Sequence, residues 1–117
     1  SLINRINNVS ITKNILKTIE KKIKKNSNKL NHKIVISSKT EKEKKVIIDL
    51  NSEKAFFVNS NKIPNNSHYF IVEDNEFNMW LKNKITFEEV LGTRRFRYQR
   101  SPNIYRVEIN KIYTNYL

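Results

Sequence analysis

The sequence predicts an α+β domain: a five-stranded, largely antiparallel sheet with helices packed on one face. Three observations lead there. Ile11, Ile15, Ile19 and Ile23 recur every four residues opposite a lysine-rich face, which is a helical period. Four short runs rich in β-branched and aromatic residues follow before Asp74. After Asp74 come two capped helical segments, one alternating strand and a last amphipathic stretch.

The first helix covers residues 11–25, with Leu16 beside the isoleucine stripe and Ser10 as N-cap. The polar run Asn26-Ser27-Asn28 ends it. His32–Ser38 and Lys45–Leu50 read as strands, joined as a hairpin by the polar loop Lys39–Lys44. Ala55–Val58 is a third strand. Asn59–Ser67 contains Pro64 and several Asn and reads as a loop, and Ser67–Glu73 is the fourth strand. Short connections throughout imply an antiparallel meander.

Asp74 is placed to N-cap a helix that runs through Asn83, with Phe77, Trp80 and Leu81 on one face. Thr86-Phe87-Glu88-Glu89 is a capping box. The helix it opens carries Phe87, Val90 and Leu91 and stops at Gly92, where a left-handed cap needs no Cβ. Arg94–Arg100 alternates Phe96 and Tyr98 with Arg95, Arg97 and Gln99, as a fifth strand does. Ser101-Pro102 fits an N-cap followed by a first helical position. Tyr105, Ile109, Ile112, Tyr113 and Tyr116 then form the apolar face of a last helix.

Composition removes several classes of chemistry. At 117 residues the chain fits one domain. It has no cysteine, so no disulfide, thiolate metal site or cysteine nucleophile can be built from it. Its one glycine excludes glycine-rich phosphate cradles. His32 and His68 stand far apart, without metal-ligand spacing. No apolar run reaches a membrane span and no signal peptide opens the chain, so the expected localisation is cytoplasmic. The net charge is +12, and residues 1–62 carry 15 Lys or Arg against 5 acids. Such an excess attracts nucleic acid or anionic membranes, but it also simply solvates a surface. Lys13, Lys17, Lys21, Lys24 and Lys25 lie opposite the isoleucine stripe and are expected in solvent, not in a specific nucleic-acid site.

The element order resembles the lipid-binding domain of sterol carrier proteins of the second type. The stretch from Tyr69 to Tyr98 carries the likeness. The strand YFIVED leads into the helix NEFNMWL and the turn Lys82-Asn83-Lys84-Ile85; FEEVL follows, then Gly92 and Phe96. Asn83 stands where the family has a glycine, and Asn tolerates the positive φ that the turn requires. The ending RSPNIYRVEINKIYTNYL resembles the form of this domain appended to the C-terminus of metallo-β-lactamase-fold hydrolases such as alkylsulfatases. With a first residue other than Met, this reads residues 1–117 as a single sterol-carrier-like domain, a C-terminal fragment of a larger protein.

The resemblance implies a non-catalytic module that binds a fatty acyl chain or other apolar ligand, with no cofactor, accessory to an N-terminal hydrolase domain. The cavity it implies is lined by Phe56, Phe70, Phe77, Trp80, Leu81, Val90, Leu91 and Phe96. The same side chains also serve as plain core.

Two other binding classes stand beside it. One is an interaction domain that has lost its ligand and acts as a homodimer contact or delivery module, using Tyr105, Tyr113 and Tyr116. The other is a nucleic-acid binder in which Arg94, Arg95, Arg97 and Arg100 flank stacking Phe96 and Tyr98. Nothing points to an enzyme: Glu88 and Glu89 are adjacent on a helix and diverge by about 100°.

Overall fold

The computed structural model describes residues 15–25, 29–101, 107–115 and 117. The expected N-cap Ser10, Ile11, Lys13, Pro102, Tyr105 and Tyr116 lie outside these. Helix α1 is described over residues 15–25. Strands β1 (Lys33–Ser38), β2 (Lys44–Asp49), β3 (Lys54–Asn59) and β4 (Ser67–Val72) follow. Then come α2 (Asp74–Leu81), α3 (Phe87–Gly92), β5 (Phe96–Ser101) and α4 (Val107–Asn115). The architecture is the α+β fold expected, with one five-stranded sheet in the order β3-β2-β1-β4-β5.

The meander does not form. β4 pairs with β1 in parallel, Ile34 beside His68 and Ile36 beside Phe70, while every other pair is antiparallel. β3 ends at Asn59, opposite the start of β2, and β4 begins at Ser67, opposite the start of β1. Residues 60–66 must therefore travel a strand length along the sheet and three strand spacings across it. That diagonal is about 22 Å at 3.3 Å per residue and 4.8 Å per strand. Only a nearly extended chain reaches so far, so the crossover is a strap and not a helix.

Strand registry sorts the sheet into two faces. One carries Ile34, Ile36, Val46, Ile48, Ala55, Phe70 and Val72, all buried in the main core. Ile15, Ile19 and Ile23 of α1 pack on it, as do Phe77, Trp80, Phe87, Val90, Ile109, Ile112 and Tyr113 of the other helices. Fully burying each such side chain stabilises by about 1.5–3 kcal/mol. The lysines Lys17, Lys21, Lys24 and Lys25 of α1 are exposed, as the isoleucine stripe requires.

The opposite face carries Val35, Ser37, Lys45, Ser67 and Tyr69, which are buried too. The strap covers them. Lys45 Nζ donates to the Ser60 carbonyl at 2.7 Å and to the Lys42 carbonyl, and Ser67 Oγ donates to the Pro64 carbonyl at 2.7 Å. Tyr69 and Ser37 share a 2.8 Å hydroxyl hydrogen bond, and the Lys45 ammonium stands 5.8 Å from the centre of the Tyr69 ring. Burial pushes the Lys45 ammonium below the ordinary lysine range, against a weaker upward pull from Glu43.

Three helix ends differ from expectation. The N-cap of α2 is Glu73, which makes no side-chain cap bond. Asp74 instead turns back to the end of β1, where its carboxylate accepts hydrogen bonds from the Ser38 and Thr40 hydroxyls and from the Thr40 N–H. The Ser38 bond, then the two Thr40 bonds, hold that carboxyl down to about 2. α2 stops at Leu81, and Asn83 takes φ 57°. Lys84 N–H donates to Met79 O and Asn83 N–H to Trp80 O, a Schellman closure with asparagine in the glycine position. Gly92 lies within α3, and the left-handed residue after that helix is Arg94 at φ 58°. Ser101 is the last residue of β5, opposite Ser67, and the expected helix start at Pro102 lies outside the described residues.

Candidate functional site: the aromatic core under the helices

The capping box at Thr86 forms as the sequence spells it: Glu89 N–H donates to Thr86 Oγ1 at 3.2 Å and the Glu89 carboxylate accepts from Thr86 N–H at 3.4 Å. It fixes where α3 starts, and so drives Phe87 and Val90 into the core. Asn83 sets the angle between α2 and α3 that brings Trp80 against Phe87, ring centres 5.7 Å apart.

Seven of the eight predicted site residues converge there. Phe70, Phe77, Trp80, Leu81 and Val90 are buried in one cluster, and half-buried Leu91 and Phe96 pack against it. Phe56 does not join them. It pairs with Ile47 on the strap-covered face and is 49% exposed, because alternation on β3 turns it away from the helices. The cluster is centred on Phe70. Its ring lies 4.7 Å from Tyr98, 4.9 Å from Tyr113, 5.0 Å from Phe87 and 6.1 Å from Phe96. α4 closes the cluster with Ile109, Ile112 and Tyr113. Beyond it, Leu117 is buried and its carbonyl accepts from Trp80 Nε1 at 2.8 Å.

Along β4 and β5 the helix-facing side chains form three rows: Val72 with Phe96, Phe70 with Tyr98, and His68 with Arg100. The last row changes the chemistry. His68 is buried, and its Nδ1 shares a hydrogen bond with Nε2 of buried His32, ring centres 4.6 Å apart. Tyr98 lies 5.7 Å and Tyr113 6.3 Å from the His68 ring, and the Arg100 guanidinium stands over Tyr98 at 5.8 Å. The sequence hid this grouping. The chain's two histidines are 36 residues apart, and only the parallel β1–β4 pairing joins them. The available signal was their matched position: each stands at the entry to its strand, in HKIVIS and SHYFIV.

The arginine strand does not present a stacking platform. Phe96 and Tyr98 face the helices while Arg97 and Gln99 face the other side, and Arg95 Nη2 is held by Glu76 at 2.7 Å. Among the described residues no three His, Cys, Asp or Glu stand close enough to hold a metal ion, and no helix is long and apolar enough to cross a membrane.

No protein-family model matches the chain, and no curated protein matches it in sequence. Solved structures with a similar fold include those of sterol carrier proteins. Sterol carrier protein-2 like-3 from Aedes aegypti aligns with a TM-score of 0.53 at 13% identity, over 77% of this chain and 86% of that one. Sterol carrier protein 2 like 2 from the same species aligns with a TM-score of 0.53 at 10% identity, over 92% and 97%. At these identities the likeness is one of fold.

Proposed function

We propose that the chain is a non-catalytic module that binds a fatty acyl chain or comparable apolar ligand between the sheet and the helices. The observation that carries this reading is the convergence of seven predicted residues on one aromatic cluster whose outer wall is α4 and Leu117. An apolar wall with few polar groups is what such a ligand requires. The similar folds of sterol carrier proteins support the same reading. The cluster is filled by its own rings, so a ligand enters by displacing Tyr113 and Leu117. The reading extends to an accessory role beside a hydrolase domain in the same chain and to a cytoplasmic setting, supported by the helix that follows β5 and by the sequence resemblance.

The ring packing around Phe70 also favours a second reading, in which α4 is a permanent plug and the domain is an interaction or dimerisation module. Organic extraction of the purified protein followed by mass spectrometry separates the two. A co-purifying acyl lipid supports the binding module. A blank extract, with an increase in mass on sedimentation, supports the interaction module.

A further inference from the structure

We infer that the outer edge of β3 is a homodimer contact, at which β3 of a second copy pairs antiparallel and continues the sheet. The inference is independent of what fills the aromatic cluster. Among the described residues, β3 and β5 are the two edges of the sheet, and they are protected differently. An open edge is a row of N–H and C=O groups without a strand partner, which charges, a proline or a bulge normally blunt. β5 carries Arg97 and Arg100 within its span. β3 reads KAFFVN: its one charge, Lys54, stands at its first residue, and it holds no proline. Phe56 and Phe57 are 49% and 40% exposed. They are adjacent in sequence but on opposite faces, so an aromatic ring flanks the edge on each side.

The ladder fixes which amides are open. Ser60 N–H donates to the Glu43 carbonyl at 2.8 Å, one step beyond the Lys44–Asn59 pair. Hydrogen-bonded pairs alternate along an antiparallel ladder. Lys54, Phe56 and Val58 therefore bond inward to β2, while Ala55, Phe57 and Asn59 turn their N–H and C=O groups outward. A two-fold axis normal to the sheet at Phe57 sets that residue against Phe57 of the second copy, where the two exchange both backbone hydrogen bonds. Asn59 then meets Ala55 of the copy, Phe56 meets Val58, and Lys54 meets Ser60 instead of another lysine. Charge favours a second copy at this place. Residues 41–62 hold five lysines against four acids, a net +1 in a chain of net +12, so two such chains approach here with least repulsion. The same edge is used by both copies, so the assembly closes as a dimer.

The test is sedimentation of the full chain over a concentration series, with amide exchange read at both ends of it. The parent chain is expected to sediment as a dimer that dissociates on dilution, with the Phe57 and Asn59 amides protected only while it is dimeric. Phe57→Lys places two ammonium groups opposite each other at the axis and is expected to raise the dissociation constant at least about tenfold. Gln99→Lys adds the same charge at an exposed position of the other edge strand and is expected to leave that constant unchanged. A monomer at every concentration overturns the proposal. So does a dimer that survives Phe57→Lys, one weakened as much by Gln99→Lys, or one in which the Phe57 and Asn59 amides exchange freely. The exchange measurement needs no variant, so it decides the matter even where Phe57→Lys fails to fold.

Discussion

The two faces of the sheet are buried by different means. On the helix face, burial is apolar and aromatic, and four helices supply the cover. On the strap face, a single extended segment covers a polar set, Ser37, Lys45, Ser67 and Tyr69, whose hydrogen bonds are each named and directional. Apolar packing is non-directional and can rearrange around a guest; a buried hydrogen-bond network loses a partner with any shift. The difference leaves one face of the sheet able to repack while the other is held rigid.

That contrast can be broken or sharpened by substitution. The largest effect belongs to the helix face: Trp80→Ala removes a fully buried ring and its bond to Leu117, at a cost of about 3–5 kcal/mol in urea denaturation. A cost below about 1 kcal/mol would show that Trp80 borders open space.

On the strap face, Lys45→Ala leaves two carbonyls without their ammonium donor and costs about 1–3 kcal/mol. Its pH signature is distinct. Because the folded pKa lies below the unfolded one, the unfolded chain holds more protons between the two values. Stability of the parent chain therefore rises with pH as it climbs through the folded value toward the ordinary lysine range, and the variant lacks that rise.

The third substitution concerns the joint between the layers. The Asp74 carboxylate ties α2 to the end of β1. Its folded pKa, about 2, is depressed, so its contribution is present above the ordinary carboxylate range and is lost as pH falls toward 2. Acid denaturation of Asp74→Asn should be flatter across that window than that of the parent. The smallest effect is a gain. Gly92 is helical, and a methyl group on its Cα would meet nothing within 4 Å, so Gly92→Ala should stabilise by about 0.5–1 kcal/mol.

The helix face was largely legible from sequence, because each signal was local. The isoleucine stripe of α1, the capping box at Thr86 and the i, i+3, i+4 spacing of Phe77, Trp80 and Leu81 needed no tertiary knowledge. The turn at Asn83 came from the family resemblance, whereas local spacing alone carried the helix through Asn83. The strap face was not. Ile34-Val35-Ile36 is a continuous apolar run, the mark of a strand buried on both sides and paired in parallel. Short loops pointed to a meander instead, and an extended crossover looks like any other polar loop. The same parallel pairing concealed the two histidines from any spacing rule. Phe56 was misplaced because aromatic character says nothing of which face a strand residue takes once it lies at a sheet edge.

An acyl-binding module of this shape must admit its ligand to the aromatic cluster by displacing Tyr113 and Leu117. Trp80 is the only tryptophan and its indole N–H is bonded to the Leu117 carbonyl, so its emission reports that displacement directly. Titration with myristic acid should shift or quench the emission saturably, with the stability cost of Trp80→Ala in the range given above. An emission spectrum unchanged across the titration, together with that same stability loss, would contradict acyl binding and leave α4 as a permanent plug.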